Sequence, residues 1–183
     1  MFERYTEQAR RAIFFARYEA SFQSAGEITA GHILVGVMRE AESRSVAASF
    51  LKGHETNIRS ALGLPLPSGK PPIDLMKDIP LDRNAKMVLA YAINEAELDY
   101  SFYIYADHLL RGVLRFPNEA ADVLQSISLD LAKARATSKL IRTKYPPKKT
   151  LYHRLFGNPF RAHRDHLIKL LAFVMVCFFC LRF

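Results

Sequence analysis

Two histidines hold the same place in two copies of one segment, and a repeated histidine is the first feature to test for chemistry. Residues 29–39 and 105–115 share His32/His108, Leu34/Leu110, Gly36/Gly112, Val37/Val113 and Arg39/Arg115 at a constant offset of 76. A metal or catalytic pair built on these histidines would need a Cys, a second His at ligand spacing, or an Asp/Glu partner common to both copies. Within residues 29–39 and 105–115 the copies supply none of these. Each histidine is therefore read as structural, lying near a helix start and bonding a neighbouring backbone group. No Ser or Cys stands beside a base in a recognisable nucleophile pattern. Gly69-Lys70 is not a phosphate loop, because Leu64 stands where the first glycine is needed and Pro71 where the magnesium-binding hydroxyl is needed. Cys177 and Cys180 have Cys-x-x-Cys spacing but no βαβ surroundings, and read as small apolar side chains or acylation sites. The expectation is a protein with no enzymatic activity, no cofactor and no metal site.

The elements that carry the histidines repeat as well. Ala9/Ala85, Ala16/Ala92, Glu19/Glu95, Ala20/Ala96, Ala12/Val88 and Ala47/Val123 keep the same offset, so the chain holds two copies of one supersecondary unit. Thr6 and Asp82 are N-cap residues for a first helix in each copy. Its apolar stripe runs through Ala9, Ala12, Ile13, Ala16 and Ala20, and again through Ala85, Val88, Leu89, Ala92 and Ala96. The histidine segment reads as the next helix. Residues 46–51 and 120–127 supply a third, and a last one runs from Ser128 or Asp130 through Leu140. Little in residues 1–143 reads as strand.

Residues 63–80 hold five of the nine prolines and form a linker between the copies. Residues 1–132 carry a net charge of −3, whereas residues 133–169 carry +10. Arg135, Lys139, Arg142, Lys144, Lys148 and Lys149 thus read as a solvated flank facing anionic lipid heads, or else as a track for a nucleic-acid backbone. Residues 170–181 form an uninterrupted apolar run of 12, short against the roughly 20 residues of a spanning helix. Lys169 and Arg182 can snorkel from its ends, and the basic excess before it fits a cytoplasmic flank. Residues 167–183 are therefore expected to form a single C-terminal transmembrane helix. Charges at Glu3, Arg4, Glu7, Arg10 and Arg11 interrupt any secretory signal, which leaves the N-terminal part in the cytoplasm.

Over about residues 2–143 the chain resembles the Clp N-terminal repeat domain (Clp R domain) of ClpA- and ClpC-type unfoldases, here without their ATPase modules. The resemblance is carried by the opening run from Phe2 through Glu3, Arg4, Tyr5, Thr6, Glu7 and Gln8 to Ala9, by the Glu-Ala pairs, and by the two histidine segments. It implies an all-α fold of two pseudo-symmetric four-helix repeats, at 1–62 and 81–143, followed by a basic linker at 144–166. It also implies a non-catalytic module that binds substrate or adaptor proteins, an unfoldase among the possible partners. Related Gram-positive domains bind phosphoarginine through a threonine after the opening aromatic and an acidic residue before the histidine. Thr6 and Asp82 match the first position, Gly31 and Asp107 the second; Gly31 has no side chain and Asp107 is a carbon shorter than the usual Glu. Tyr100, Phe102 and Tyr103 are either inter-repeat packing or the aromatic wall of a peptide groove. The alternative function is a soluble, basic-tailed nucleic-acid-binding protein; the protein-binding reading expects no nucleic-acid partner.

Overall fold

The computed structural model describes residues 3–41, 45–66 and 78–144. Eight helices follow in order: α1 (Glu7–Phe22), α2 (Ala30–Arg39), α3 (Val46–Leu51), α4 (Glu55–Ala61), α5 (Arg83–Leu98), α6 (Ala106–Leu114), α7 (Glu119–Ser126) and α8 (Leu131–Lys144). Helices α1–α4 and α5–α8 repeat one four-helix arrangement, and the fold is all-α. Thr6 Oγ1 accepts from the Ala9 amide at 3.3 Å and Asp82 Oδ1 from the Ala85 amide at 2.6 Å, so each first helix starts at a side chain that satisfies one of its orphan donors. Asp130 Oδ1 caps α8 through the Lys133 amide, and α8 continues to Lys144, past the Leu140 expected from spacing. Helix α4 has no side-chain cap, which is why its start left little trace in the sequence.

Within each repeat the first two helices pack face to face, and glycine sets how close they come. A Cβ added at Gly36 would lie 2.1 Å from the Ala12 carbonyl oxygen, and one at Gly112 would lie 2.4 Å from that of Val88. The repeated glycines let α2 rest on the backbone of α1, and α6 on that of α5. Small residues opposite them, Ala12 and Ala16, or Val88 and Ala92, complete the approach.

The repeats are joined by two reciprocal clasps. Thr6 N–H donates to the Ile104 carbonyl (3.0 Å) and Ile104 N–H to that of Arg4 (2.8 Å). In the mirrored position Asp82 N–H donates to the Ile28 carbonyl (3.0 Å) and Ile28 N–H to that of Pro80 (2.8 Å). The segment before each first helix thus pairs with the connection before the second helix of the other repeat. Helix α2 also packs on α6 across the pseudo-two-fold axis, and a single apolar cluster runs from Tyr5 through Ile33, Leu34, Leu109 and Leu110 to Leu129. At the borders of the proline-rich segment, Leu64 and Ile79 are buried; its residues 67–77 lie outside the described residues.

Among the described residues, no helix is long and apolar enough to cross a membrane. The expected C-terminal helix at 167–183, and all of the basic linker except Lys144, lie outside them.

Candidate partner-binding site

Each second helix begins on its histidine. Thr29 N–H donates to His32 Nδ1 at 3.0 Å while Thr29 Oγ1 accepts from the His32 amide, a reciprocal capping box with histidine in the place of the usual Glu or Gln. In α6 only half of this device persists: Tyr105 N–H donates to His108 Nδ1 at 3.0 Å, and the tyrosine offers no hydroxyl at capping distance from its own backbone. Acceptance at Nδ1 places the ring proton on Nε2, so both histidines are neutral. Burial holds both below the ordinary histidine range, His108 down to about 4. Among the described residues no group of three or more His, Cys, Asp or Glu could hold a metal ion.

The clasps join the backbone segments that carry the acidic and hydroxyl positions of opposite repeats. Thr6 is hydrogen-bonded to Ile104, in the connection that leads to Asp107. Asp107 Oδ1 accepts from the Val46 amide at 3.1 Å and so helps to start α3 of the other repeat. Burial pushes the Asp107 carboxyl up, partly offset by that N–H. In the mirrored location Asp82 adjoins Ile28, and a Cβ on Gly31 would meet the carboxylate of Glu119, from α7, at 3.4 Å. The carboxylate that residue 31 lacks is thus present nearby, on a different helix.

Glutamates buried at the base of each repeat pair with arginines that keep the same offset of 76. Glu19 receives a bidentate pair of hydrogen bonds from Arg59, each 3.0 Å, and a third from Arg39 at 3.0 Å. Arg39 also lies over the rings of Phe15 and Tyr18. Glu95 is held in the same way by Arg135 and Arg115, with Arg115 over Tyr91. Repeat two then departs from repeat one. Arg111 stands where repeat one has Val35, and Asp99 where it has Gln23. Arg111 lies 3.4 Å from Glu95 and also pairs with Asp99. Arg142 donates to Asp99 at 2.7 Å, and the His108 Nε2–H donates to the same oxygen at 3.1 Å. Burial opposes ionisation of both carboxyls, but hydrogen bonds from Arg135 and Arg115 to Glu95, and from His108 and Arg111 to Asp99, outweigh it and hold both below the usual carboxylate range.

Arg135 and Arg142 were expected on a solvated basic flank. Both instead tie α8 to α5 through buried or half-buried carboxylates, because the acid groups that neutralise them lie forty residues upstream, where a scan of local charge does not look. The clusters were recorded in the sequence only as register: Glu19/Glu95, Arg39/Arg115 and Arg59/Arg135 all recur at the repeat offset.

Beside this second cluster a cleft of about 710 Å³ opens between α5 and α8, lined among others by Leu98, Tyr100, Arg111, Arg135, Lys139 and Arg142. Tyr100 follows the C-cap of α5 with φ of 52°, as Ser24 follows that of α1 with φ of 55°. Phe102 and Tyr103 lie outside the cleft, in edge-to-face contact at 5.2 Å, with Arg4 of the first clasp over Phe102 and donating to its carbonyl. Of the three aromatics, then, only Tyr100 lines the cleft.

Two interlocked copies of a four-helix unit, clasped backbone to backbone and each built around one buried glutamate, define a double-repeat helical module. The model of the Clp repeat (R) N-terminal domain family matches residues 4–127, and the chain belongs to that family. A ClpA homolog of Guillardia theta, an ATP-binding subunit of an ATP-dependent Clp protease, is 34% identical over 137 residues, which are 74% of this chain and 16% of that protein. The uncharacterized protein Mb2686 of Mycobacterium bovis is 31% identical over 145 residues, 78% of this chain and 54% of that protein. The chain thus spans about a sixth of the first relative and about half of the second. Among solved structures, the N-terminal domain of ClpD from Arabidopsis thaliana is similar with a TM-score of 0.58 at 22% identity, covering 79% of this chain and 97% of that one. The Hsp104 N-terminal domain from Candida albicans gives 0.60 at 20% identity, covering 76% and 92%. These two likenesses concern the fold alone.

Proposed function

We propose that the chain is a non-catalytic protein-binding module that receives substrate or partner proteins, an unfoldase among them, at its double repeat. Residues 167–183 tether it to a membrane with the repeats on the cytoplasmic side. The observation that carries this reading is the family match across both repeats, with the resemblance to the substrate- and adaptor-receiving domains of ClpA- and ClpC-type unfoldases. The tether is supported by the apolar run 170–181 between Lys169 and Arg182, and by the basic excess that precedes it. Partner contact falls to the aromatics Tyr100, Phe102 and Tyr103 and to the polar positions of the two clasps, Thr6, Asp82 and Asp107. The nucleic-acid alternative loses support, since Arg135 and Arg142 are drawn into a cleft against Glu95 and Asp99 and do not continue an extended basic track along α8.

The test is co-purification after mild cross-linking of the full chain in its own cells, with a carbonate wash of the membranes. The reading predicts that the chain stays in the washed membrane, that a version ending at Tyr145 does not, and that discrete proteins co-purify with it. A full chain washed off by carbonate would remove the tether, and one that brings down nothing beyond a Gly36→Asp control would remove the binding role.

A further inference from the structure

The two repeats act as an internal control for each other, and they differ in charge at the α5–α8 cleft. In repeat one the buried glutamate cluster is balanced: Arg39 and Arg59 face Glu19 and Glu55. In repeat two Arg111, Arg115, Arg135 and Arg142 converge on Glu95 and Asp99. Of these, Arg111, Arg135 and Arg142 line the cleft, and Lys139, which makes no ion pair among the described residues, adds a fourth cation to its wall. The carboxylates present leave a surplus of positive charge facing an open concavity. Arg111, only 1% exposed, keeps its Nε without a hydrogen-bond partner. Cations held this close repel one another, and a further anion relieves that repulsion more effectively in a partly desolvated cleft than in water.

The rim of the same cleft is apolar. Leu98 is 57% exposed and Tyr100 39% exposed, both lining the cleft. From this charge complementarity and apolar rim, we infer that the cleft receives an acidic peptide segment of a partner protein, its carboxylates directed to Lys139 and the arginines and an adjacent apolar side chain resting on Leu98 and Tyr100. The chain's own continuation is the wrong occupant, since residues 145–169 carry six Lys or Arg and one Asp. The inference rests on the protein-binding reading and specifies the chemistry of the partner.

The test uses the full chain in detergent and a short fluorescein-labelled peptide in which glutamates flank one leucine, with glutamines replacing the glutamates in the control. The glutamate peptide is expected to bind and the glutamine peptide not. Lys139→Glu, and independently Thr143→Glu at the cleft mouth, are expected to weaken binding about tenfold or more. Lys86→Glu, on the exposed start of α5 and equal in net-charge change to Lys139→Glu, should leave it within about twofold. All three replace exposed side chains, and an unchanged melting temperature verifies each fold. Absence of glutamate-peptide binding, or equal weakening by all three variants, would overturn the proposal. So would binding of short-chain phosphatidylserine alone with the same Lys139 dependence, which would turn the cleft towards a membrane. If the peptide fails while proteins still co-purify with the Lys139→Glu chain, the cleft assignment falls and the protein-binding reading stands; if neither binds, both fall.

Discussion

His108 shows how one residue can be structural and still leave a measurable signature. Its ring accepts the Tyr105 amide, donates to Asp99, and is fully buried beside Arg111 and Arg142. Burial and those arginines hold it down to about 4, against the ordinary value near 6.5. Between these two values the unfolded chain binds a proton that the folded chain does not, so stability is complete above about pH 6.5 and falls as pH drops towards 4. The expected loss from this one group is on the order of 3 kcal/mol. Urea unfolding at steps from pH 7 to pH 4 should show the loss, and His108→Gln, which keeps an acceptor and a donor, should flatten it. Equal slopes in both proteins would contradict the assignment. The sequence disclosed the histidine's place at a helix start through its repetition. It did not disclose Asp99 as a partner, since repeat one has Gln23 there and a search for groups common to both copies discards it.

At the scale of elements, what could be read depended on whether a helix announces itself locally. Helices α1, α2 and α5 carry side-chain caps, α2 and α6 a repeated glycine and histidine, and all four the three-and-four spacing, and these stand in the sequence. Helix α4 has no side-chain cap and left no such trace. Helix α8 looked like a solvated basic flank because it buries few side chains, Ala134 and Ser138 among them, and is held largely by ion pairs with α5. The packing of the first two helices in each repeat makes a sharp prediction. Gly36→Ala puts a methyl group 2.1 Å from a backbone oxygen that no rotamer can move, and Gly112→Ala does so at 2.4 Å. Each should destabilise by about 3 kcal/mol or more, at or above the usual cost of overpacking. Gly26, with nothing within 4 Å of the same position and no positive φ, should tolerate alanine or gain about 0.5 kcal/mol from a stiffer unfolded chain. Chemical denaturation of the three variants checks the order; a Gly36→Ala protein as stable as Gly26→Ala would contradict the close approach.

For the whole molecule the repeats are interdependent. Each supplies the segment that closes the other's connection, through Tyr5 with Ile104 and Leu81 with Ile28, and a single core passes between them. The offset of 76 announced two copies; the exchange of segments was hidden, because one hydrogen-bonded residue pair per clasp has no strand pattern to read. Duplication also frees one copy to change while the other keeps the frame, and here the change is the charged cleft of repeat two. The central claim, that this double repeat receives other proteins, is tested most directly by photocross-linking in living cells. A photoreactive phenylalanine would be placed in the full chain at Tyr100, on the cleft, and in a second chain at Phe14, exposed on α1 away from it. The account predicts discrete protein adducts from position 100, weaker or absent from position 14. Adducts to nucleic acid or lipid alone, or the same protein adducts from both positions, would contradict it.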